Sequence, residues 1–300
     1  MIYMTLEQLR IFIAVAERQH VTQAASALNL TQAAVSASVA ALEAQHDVQL
    51  FDRVGRNIAL TELGRVFLQE AYGVLSRAQA AETALRDYAG LKHGRLSVYA
   101  SQTIASYYLP ALIVEFYRRH PGFKIELNIG NTSQVAQAVS QGQAELGFVE
   151  GPLNAPALHV EPITTEHMII IVHPRHQWAA GQNVTDADIR QADWVFREQG
   201  SGTREAFLTA LAKRGILESE LNIVLTLPSN EAVREAVASG MGASCLSPLV
   251  CAHALTAGIL KKASLLLSPR PLHAVWHAQR YVPRASAAFL ELIKRHNPAG

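Results

Sequence analysis

The segment from Val21 to Glu43, VTQAASALNLTQAAVSASVAALE, constrains the fold of this chain more than any other. Ala24, Ala25 and Leu28 repeat at helical spacing, Asn29-Leu30 breaks the pattern, and Val35, Val39 and Leu42 resume it. Two short helices joined by so tight a break read as a helix-turn-helix, with Leu30 available to plug the corner between them. Thr31 is expected to cap the second helix, because its hydroxyl can accept a backbone N–H that has no partner inside the helix. A second helix of this kind lies in the major groove of double-stranded DNA, here offering Thr31, Gln32, Ser36 and Ser38. The same stretch also reads as an alanine-rich hairpin in an ordinary core, and its flanks favour the DNA reading. Leu6, Leu9, Ile13 and Ala16 stripe a supporting helix upstream. Downstream, two short extended runs (50–53 and 57–60) enclose Val54-Gly55-Arg56, which predicts a wing whose Arg53 and Arg56 reach phosphate or the minor groove.

From Thr61 to about Leu91 the pattern is one long helix, capped by Thr61. Phe67, Val74, Ala78, Ala81, Leu85 and Tyr88 form a coiled-coil seam whose natural partner is the same helix of another subunit. Packing of that stripe on its own domain is the alternative. Gly90-Leu91-Lys92-His93-Gly94 reads as the hinge out of the helix. Strands and helices then alternate, with strands expected at 95–100, 124–129 and 144–149 and helices at 104–120 and 133–141. After Pro162 the scheme restarts, with strands near 168–172, 195–197, 223–227 and 243–246 and helices at 204–213 and 231–239. A strand at 272–277 returns to the first lobe. This is an α/β pattern of mostly parallel sheets flanked by helices, in two lobes that form a cleft where small ligands bind at strand ends. The expected division is 1–60 for the winged helix-turn-helix, 61–91 for the linker helix and 92–300 for the two lobes. Lobe I takes 92–162 and 269–300, and lobe II takes 163–268.

Within that cleft, Gly200-Ser201-Gly202-Thr203-Arg204 carries the strongest chemical signal. It follows a strand and opens a helix, so backbone N–H groups and hydroxyls converge where the helix dipole favours an anion. Arg204 would add a forked donor. The bland reading is a glycine loop in which Ser201 or Thr203 merely caps the helix. Ser101, Gln102 and Thr103 after the first strand, with Asn131 and Thr132 after the second, supply the facing set. Ser229, Asn230 and Ser247 add candidates in the second lobe, and Glu150 lies just before an expected crossover at Gly151-Pro152. Hydroxyls and amides around one arginine suit a small oxyanion.

Leu6-Glu7-Gln8-Leu9-Arg10-Ile11-Phe12, Leu28-Asn29-Leu30-Thr31-Gln32, Ala34-Val35-Ser36, Leu50-Phe51-Asp52-Arg53 and Leu60-Thr61-Glu62-Leu63-Gly64 together resemble the LysR-type transcriptional regulators, and the likeness runs the full length. Gly200-Ser201-Gly202-Thr203-Arg204-Glu205 and Ser244-Cys245-Leu246-Ser247 resemble a subgroup that responds to sulfite and governs sulfur or redox metabolism. The resemblance implies a winged helix-turn-helix, a dimerising linker helix and a two-lobed effector domain like a periplasmic binding protein. It also implies a homodimer or homotetramer on promoter DNA, a small anionic effector with sulfite leading, and RNA polymerase as a candidate partner. Glu150 could then take a proton from hydrogen sulfite, or be structural. One departure is Ala37, where family members often carry a basic residue. Residues 1–90 hold seven Arg and no Lys against nine Asp and Glu, so weak phosphate neutralisation per half-site is expected, offset by presenting several domains together.

A net charge of +1 gives no whole-chain bias toward nucleic acid or membrane, and 49% apolar content suffices for packed cores. No apolar run reaches the length of a membrane span, and no export signal is legible, so the cytoplasm is expected. Cys245 and Cys251 read as structural, with a redox switch through Cys245 as the alternative. No metal-ligand set, nucleophile elbow, phosphate loop or dinucleotide fingerprint is present, so neither a cofactor nor an enzyme is expected. The competing readings are a two-lobed solute-binding protein or an anion-processing transferase, neither of which has a use for the segment before residue 90.

Overall fold

The computed structural model describes residues 4–54, 57–88 and 94–296, with only the backbone of Arg53, Val54, Asn57 and Arg86. Arg56 and the hinge residues 90–93 lie outside the described residues. The chain divides into two compact units, one built on residues 1–90 and the other on residues 91–140 and 144–300.

In the first unit, α1 (Leu6–Arg18) begins at a capping box in which Thr5 and Gln8 satisfy each other's backbone N–H. It supports α2 (Val21–Leu28) and α3 (Gln32–His46), whose axes turn through 109°. Asn29 makes the turn in the left-handed region at φ 56°, and Thr31 caps α3 by accepting from Ala34 N at 3.2 Å. Leu30 does not plug the corner. The turn is closed by its backbone, with Leu30 N donating to Ala25 O at 2.9 Å, and its side chain is left 37% exposed. Buried Ala24, Ala25 and Val35 fill the corner instead.

The wing is an antiparallel hairpin of β1 (Phe51–Val54) and β2 (Asn57–Leu60), held to α3 by Glu43, whose carboxylate accepts Leu50 N at 2.7 Å and Phe51 N at 3.1 Å. Thr61 caps α4 (Glu62–Tyr88) by accepting from Gly64 N at 2.9 Å. Gly64 is needed there, since a Cβ would lie 2.1 Å from Leu50 O. Phe67 does not join a seam; it packs on Phe12 inside the unit, ring centroids 4.8 Å apart. Val74, Leu85 and Tyr88 further along are exposed. No single helix among the described residues is long and apolar enough to cross a membrane.

The second unit runs β3 (Gly94–Ser101), a π-helical turn at Ile104–Tyr108, α5 (Leu109–Arg119), β4 (Phe123–Gly130), α6 (Thr132–Gln141), β5 (Leu146–Glu150) and β6 (Leu158–Glu166). It continues through β7 (Ile169–Val172), α7 (Asp186–Gln191), β8 (Asp193–Arg197), α8 (Gly202–Ala212), β9 (Asn222–Leu227), α9 (Asn230–Ala238), β10 (Ala243–Leu246) and α10 (Pro248–Thr256). It ends with β11 (Lys261–Lys262), β12 (Arg270–His277) and α11 (Arg284–His296).

Two five-stranded sheets result, in the orders β4-β3-β5-β12-β6 and β11-β7-β10-β8-β9. They are mixed rather than mostly parallel: β12 is antiparallel to β5 and β6, and β7 is antiparallel to β10 and β11. The geometry explains this, because β7 and β12 each enter their sheet from the other lobe and so arrive from the opposite end. Helices cover both faces of each sheet, with one apolar core per face.

Pro162 does not break the chain between lobes. It lies within edge strand β6 at a register shift opposite Leu272/His273, where a missing N–H is tolerated. Gly151-Pro152 therefore leads into the first sheet's edge, and the outward crossing comes only after Glu166.

Candidate functional site

On α3 the exposed residues include Gln32, Ala33, Ser36, Ala37 and Ala40, along with Ala34, Ala41 and Ala44, and Thr31 is exposed at the head of the helix. Ser38 does not share the face of Ser36: two residues along a helix is more than half a turn, and Ser38 is half-buried. Gln32 and Ser36, one turn apart, can face one groove together. Arg53 lies on β1, and only its backbone is described.

The second site is built from strand ends. β3, β4 and β5 run parallel and so finish at one edge of the first sheet; β8, β9 and β10 do the same in the second. The residues just beyond all of these strands but β5 open helices, which brings backbone N–H groups and polar side chains of both lobes to one cleft.

Glu150, fully buried, sits at its centre. It accepts from the Ser101 hydroxyl and, at 3.4 Å, from the Thr203 hydroxyl, one from each lobe. Arg270 approaches it at 3.9 Å, donates to Thr203 Oγ1 at 3.1 Å and pairs closely with Glu166. Ser247 donates to Glu166 at 2.6 Å. Burial pushes the Glu150 carboxyl above the usual carboxylate range, and the nearby Arg270 opposes this only in part.

A second knot joins the lobes at Asn230, whose backbone N–H donates to Gln102 at 2.7 Å and whose side-chain amide donates to Thr103 at 3.0 Å. Arg197 donates to Asn230 Oδ1 at 2.5 Å and forks onto Glu198 at 2.8 and 2.9 Å. Asn131 donates to Glu198 at 3.3 Å, and Thr132 to Glu150 O at 3.2 Å. Ser229 is engaged as the N-cap of α9, accepting from Ala232 N at 3.0 Å.

The Gly200-Ser201-Gly202 loop opens α8. Gly200 adopts φ 81°, and at Gly202 a Cβ would lie 2.1 Å from Glu150 O, so only glycine lets the loop approach the facing strand. Ser201 is a buried residue whose side chain does not cap the helix.

Arg204 departs from the expected ring. Its guanidinium turns away into lobe II, donating to Arg197 O at 2.8 Å, pairing with Glu218 and lying over the Phe196 ring at 5.1 Å. The third helical residue projects sideways from α8 rather than ahead of it, so it braces β8 against the helix. The cations that do reach the cleft are Arg197 and Arg270, with Glu166 and Glu198 as their partners. Arg197 closed an expected strand, and Arg270 lies between two prolines; neither position carries a local signal of a site.

Both cysteines are buried, and burial pushes Cys245 far above the ordinary thiol value and Cys251 up to about 12. A thiol held protonated in this way is a poor nucleophile, which weighs against a redox switch. Among the described residues no group of His, Cys, Asp or Glu could hold a metal ion.

Residues 6–65 match the model of the bacterial regulatory helix-turn-helix protein, lysR family, and residues 89–298 match that of the LysR substrate binding domain. The chain is 36% identical over 296 residues to the uncharacterized HTH-type transcriptional regulator YeiE of Escherichia coli K12, covering 96% of this chain and 97% of the relative. It is 32% identical to the HTH-type transcriptional regulator CysL of Bacillus subtilis over 244 residues, 81% of each chain. Among solved structures, a full-length point variant of OxyR from Pseudomonas aeruginosa superposes with a TM-score of 0.70 at 23% identity, covering 98% of this chain and 96% of that one.

Proposed function

The chain belongs to the LysR-type transcriptional regulators, DNA-binding proteins with an effector-binding domain rather than enzymes, and from that premise we propose that its cleft senses a small oxyanion, sulfite first among candidates. The observation that carries this reading is Ser201 at the start of α8, a buried residue whose hydroxyl is not used to cap the helix, set between two glycines that let backbone N–H groups face the cleft. Ser101, Thr103, Thr132 and Thr203 add hydroxyls, Gln102, Asn131, Ser229 and Asn230 add polar groups, and Arg197 and Arg270 supply positive potential in place of Arg204. A protonated Glu150 would donate to the anion rather than repel it.

The two lobes meet through direct bonds such as Gln102–Asn230 and Asn131–Glu198. An anion that exchanges these for bonds to itself changes how the lobes sit, and shifts regulation only by its differential affinity for the two arrangements.

We assign DNA reading to Thr31, Gln32 and Ser36, with Arg53 and Arg56 on phosphate, and self-association to α4. Its exposed Val74, Leu85 and Tyr88 support pairing with the same helix of another subunit, giving homodimers that associate into homotetramers. The working division is 1–60, 61–91 and 92–300, and the place of work is the cytoplasm, where promoter DNA is met. Fluorescence anisotropy with promoter fragments enriched from genomic DNA tests the assignment. Sulfite is expected to shift the binding curve of the native chain and not of a Ser201→Ala variant. An identical curve with and without each of sulfite, sulfate, phosphate and thiosulfate would remove the oxyanion reading.

A further inference from the structure

On the flank of α8, outside the cleft, lies a groove of about 170 Å³ that the sensing reading does not use. Ala206 and Ala210, one helical turn apart, leave the space, and Met168, Phe207 and Leu267 wall it with apolar surface. The opposite side is formed by Gly151-Pro152, leaving β5, and by Pro269-Arg270-Pro271, returning to the first sheet. One wall thus belongs to lobe II and the other to the strand ends of lobe I.

The groove is open on one side and mostly apolar, with Thr209 and Ser268 its polar residues besides Lys213 and Arg270, and its volume is close to the roughly 150 Å³ that admits a benzene ring. At the rim stands Lys213, exposed and without an ion pair among the described residues. Arg270, by contrast, is already committed to Glu166 and Thr203. We propose that this groove is a second ligand site, taking a compact apolar monocarboxylate of about the size of benzoate, ring inward and carboxylate on Lys213.

The site has a route to the cleft. Arg270 lines the groove with its residue while its guanidinium bonds Thr203 in the first turn of α8 and Glu166 on β6. An occupant wedged between α8 and the returning segment fixes their separation and so biases lobe closure. Only this coupling step rests on the sensing reading. Reciprocity then requires carboxylate and oxyanion to change each other's affinity by the same factor.

Met168 lines the groove and Met241 is an exposed residue beyond α9, so methyl-methionine NMR of the full-length protein reads the site directly. Titration with benzoate is expected to move the Met168 methyl saturably and leave Met241 in place, while acetate, which has no ring, moves neither. Ala210→Leu, which fills the groove, is expected to abolish the shift. Lys213→Gln, at an exposed position that leaves folding intact, is expected to weaken binding roughly two- to five-fold, the scale of an exposed ion pair. An unmoved Met168 would overturn the proposal. So would a benzoate shift that survives Ala210→Leu but vanishes in Thr203→Val, since the ligand would then be sitting in the cleft. Sulfite titrations of the native chain run without benzoate do not depend on either outcome, which keeps the two readings separable.

Discussion

The outer face of α3 carries two uncharged polar side chains, Gln32 and Ser36, among alanines, whereas the cleft draws Glu150, Glu166, Arg197, Glu198 and Arg270 into connected buried or half-buried networks. The first surface is open and thinly provided, so on the proposed reading its strength comes from repetition across subunits. The second is dense and internally satisfied, so it responds to a ligand only by exchanging bonds it already makes. On that proposed reading affinity for DNA is placed in assembly, and discrimination among effectors in a single protomer.

The sharpest break in that contrast is expected at Gly202. Gly202→Ala would drive a Cβ against Glu150 O, costing about 3 kcal/mol in stability or forcing the lobes apart. A thermal melt and a sulfite titration of the variant check this, and unchanged values for both would show that the close approach does not matter. Next, Leu85→Asp should leave the fold of each protomer intact, since Leu85 is 72% exposed, and weaken operator binding on the order of 100-fold by breaking subunit pairing. Sedimentation together with anisotropy reads both effects. A monomer that held its half-site nearly as tightly would refute the view that assembly supplies the affinity.

Arg204→Ala distinguishes bracing from ligand contact. It should lower stability by about 1–3 kcal/mol, since Arg197 O and Glu218 lose a donor, yet leave sulfite affinity of the folded protein nearly unchanged. On α3, Gln32→Ala should cost about 1–3 kcal/mol in operator binding if it reads a base edge, and Ser38→Ala much less; equal losses would mean the face is drawn wrongly.

The smallest effect is in pH dependence. Glu150 has its carboxyl raised by burial, so its protonated form is favoured in the folded protein, and the stability linked to this is present at low pH and lost as pH rises through the raised value. Anion affinity should fall over the same window as Glu150 ionises. Glu150→Gln, which keeps a neutral donor, should flatten the profile. A profile unchanged by this substitution would assign the titration to another group.

How far the sequence foretold each region follows from the range of the interactions. The helix-turn-helix is a matter of residues a few positions apart, so the caps at Thr31 and Thr61 and the stripe of α1 at Leu9, Ile13 and Ala16 could be read directly, although Leu6 of that stripe is exposed. Leu30 and Phe67 were misplaced because a turn's backbone path and a neighbouring helix decide which way a side chain faces. In the second unit the alternation of strands and helices was legible. The edge strand β6 was not, because its proline sits at a bulge, and α11 was passed over although Ala285, Phe289, Leu292 and Ile293 repeat at helical spacing.

At the cleft, the hydroxyls and glycines announced themselves by following strands. Arg270 and Glu166 did not, since they are 104 residues apart and meet only because β12 returns beside β6. Arg204, adjacent to the glycines, looked like the anchor because sequence shows proximity along the chain and not the direction in which a helix aims a side chain.

The most direct measurement is calorimetric titration of the full-length protein with sulfite, alongside sulfate, phosphate and thiosulfate, repeated on Ser201→Ala. The account expects one saturable oxyanion site per chain that weakens at least about tenfold when the Ser201 hydroxyl is removed, the scale of a hydrogen bond to a charged group. Absence of heat from all four anions, or binding indifferent to Ser201, would contradict it and leave the cleft to an organic effector.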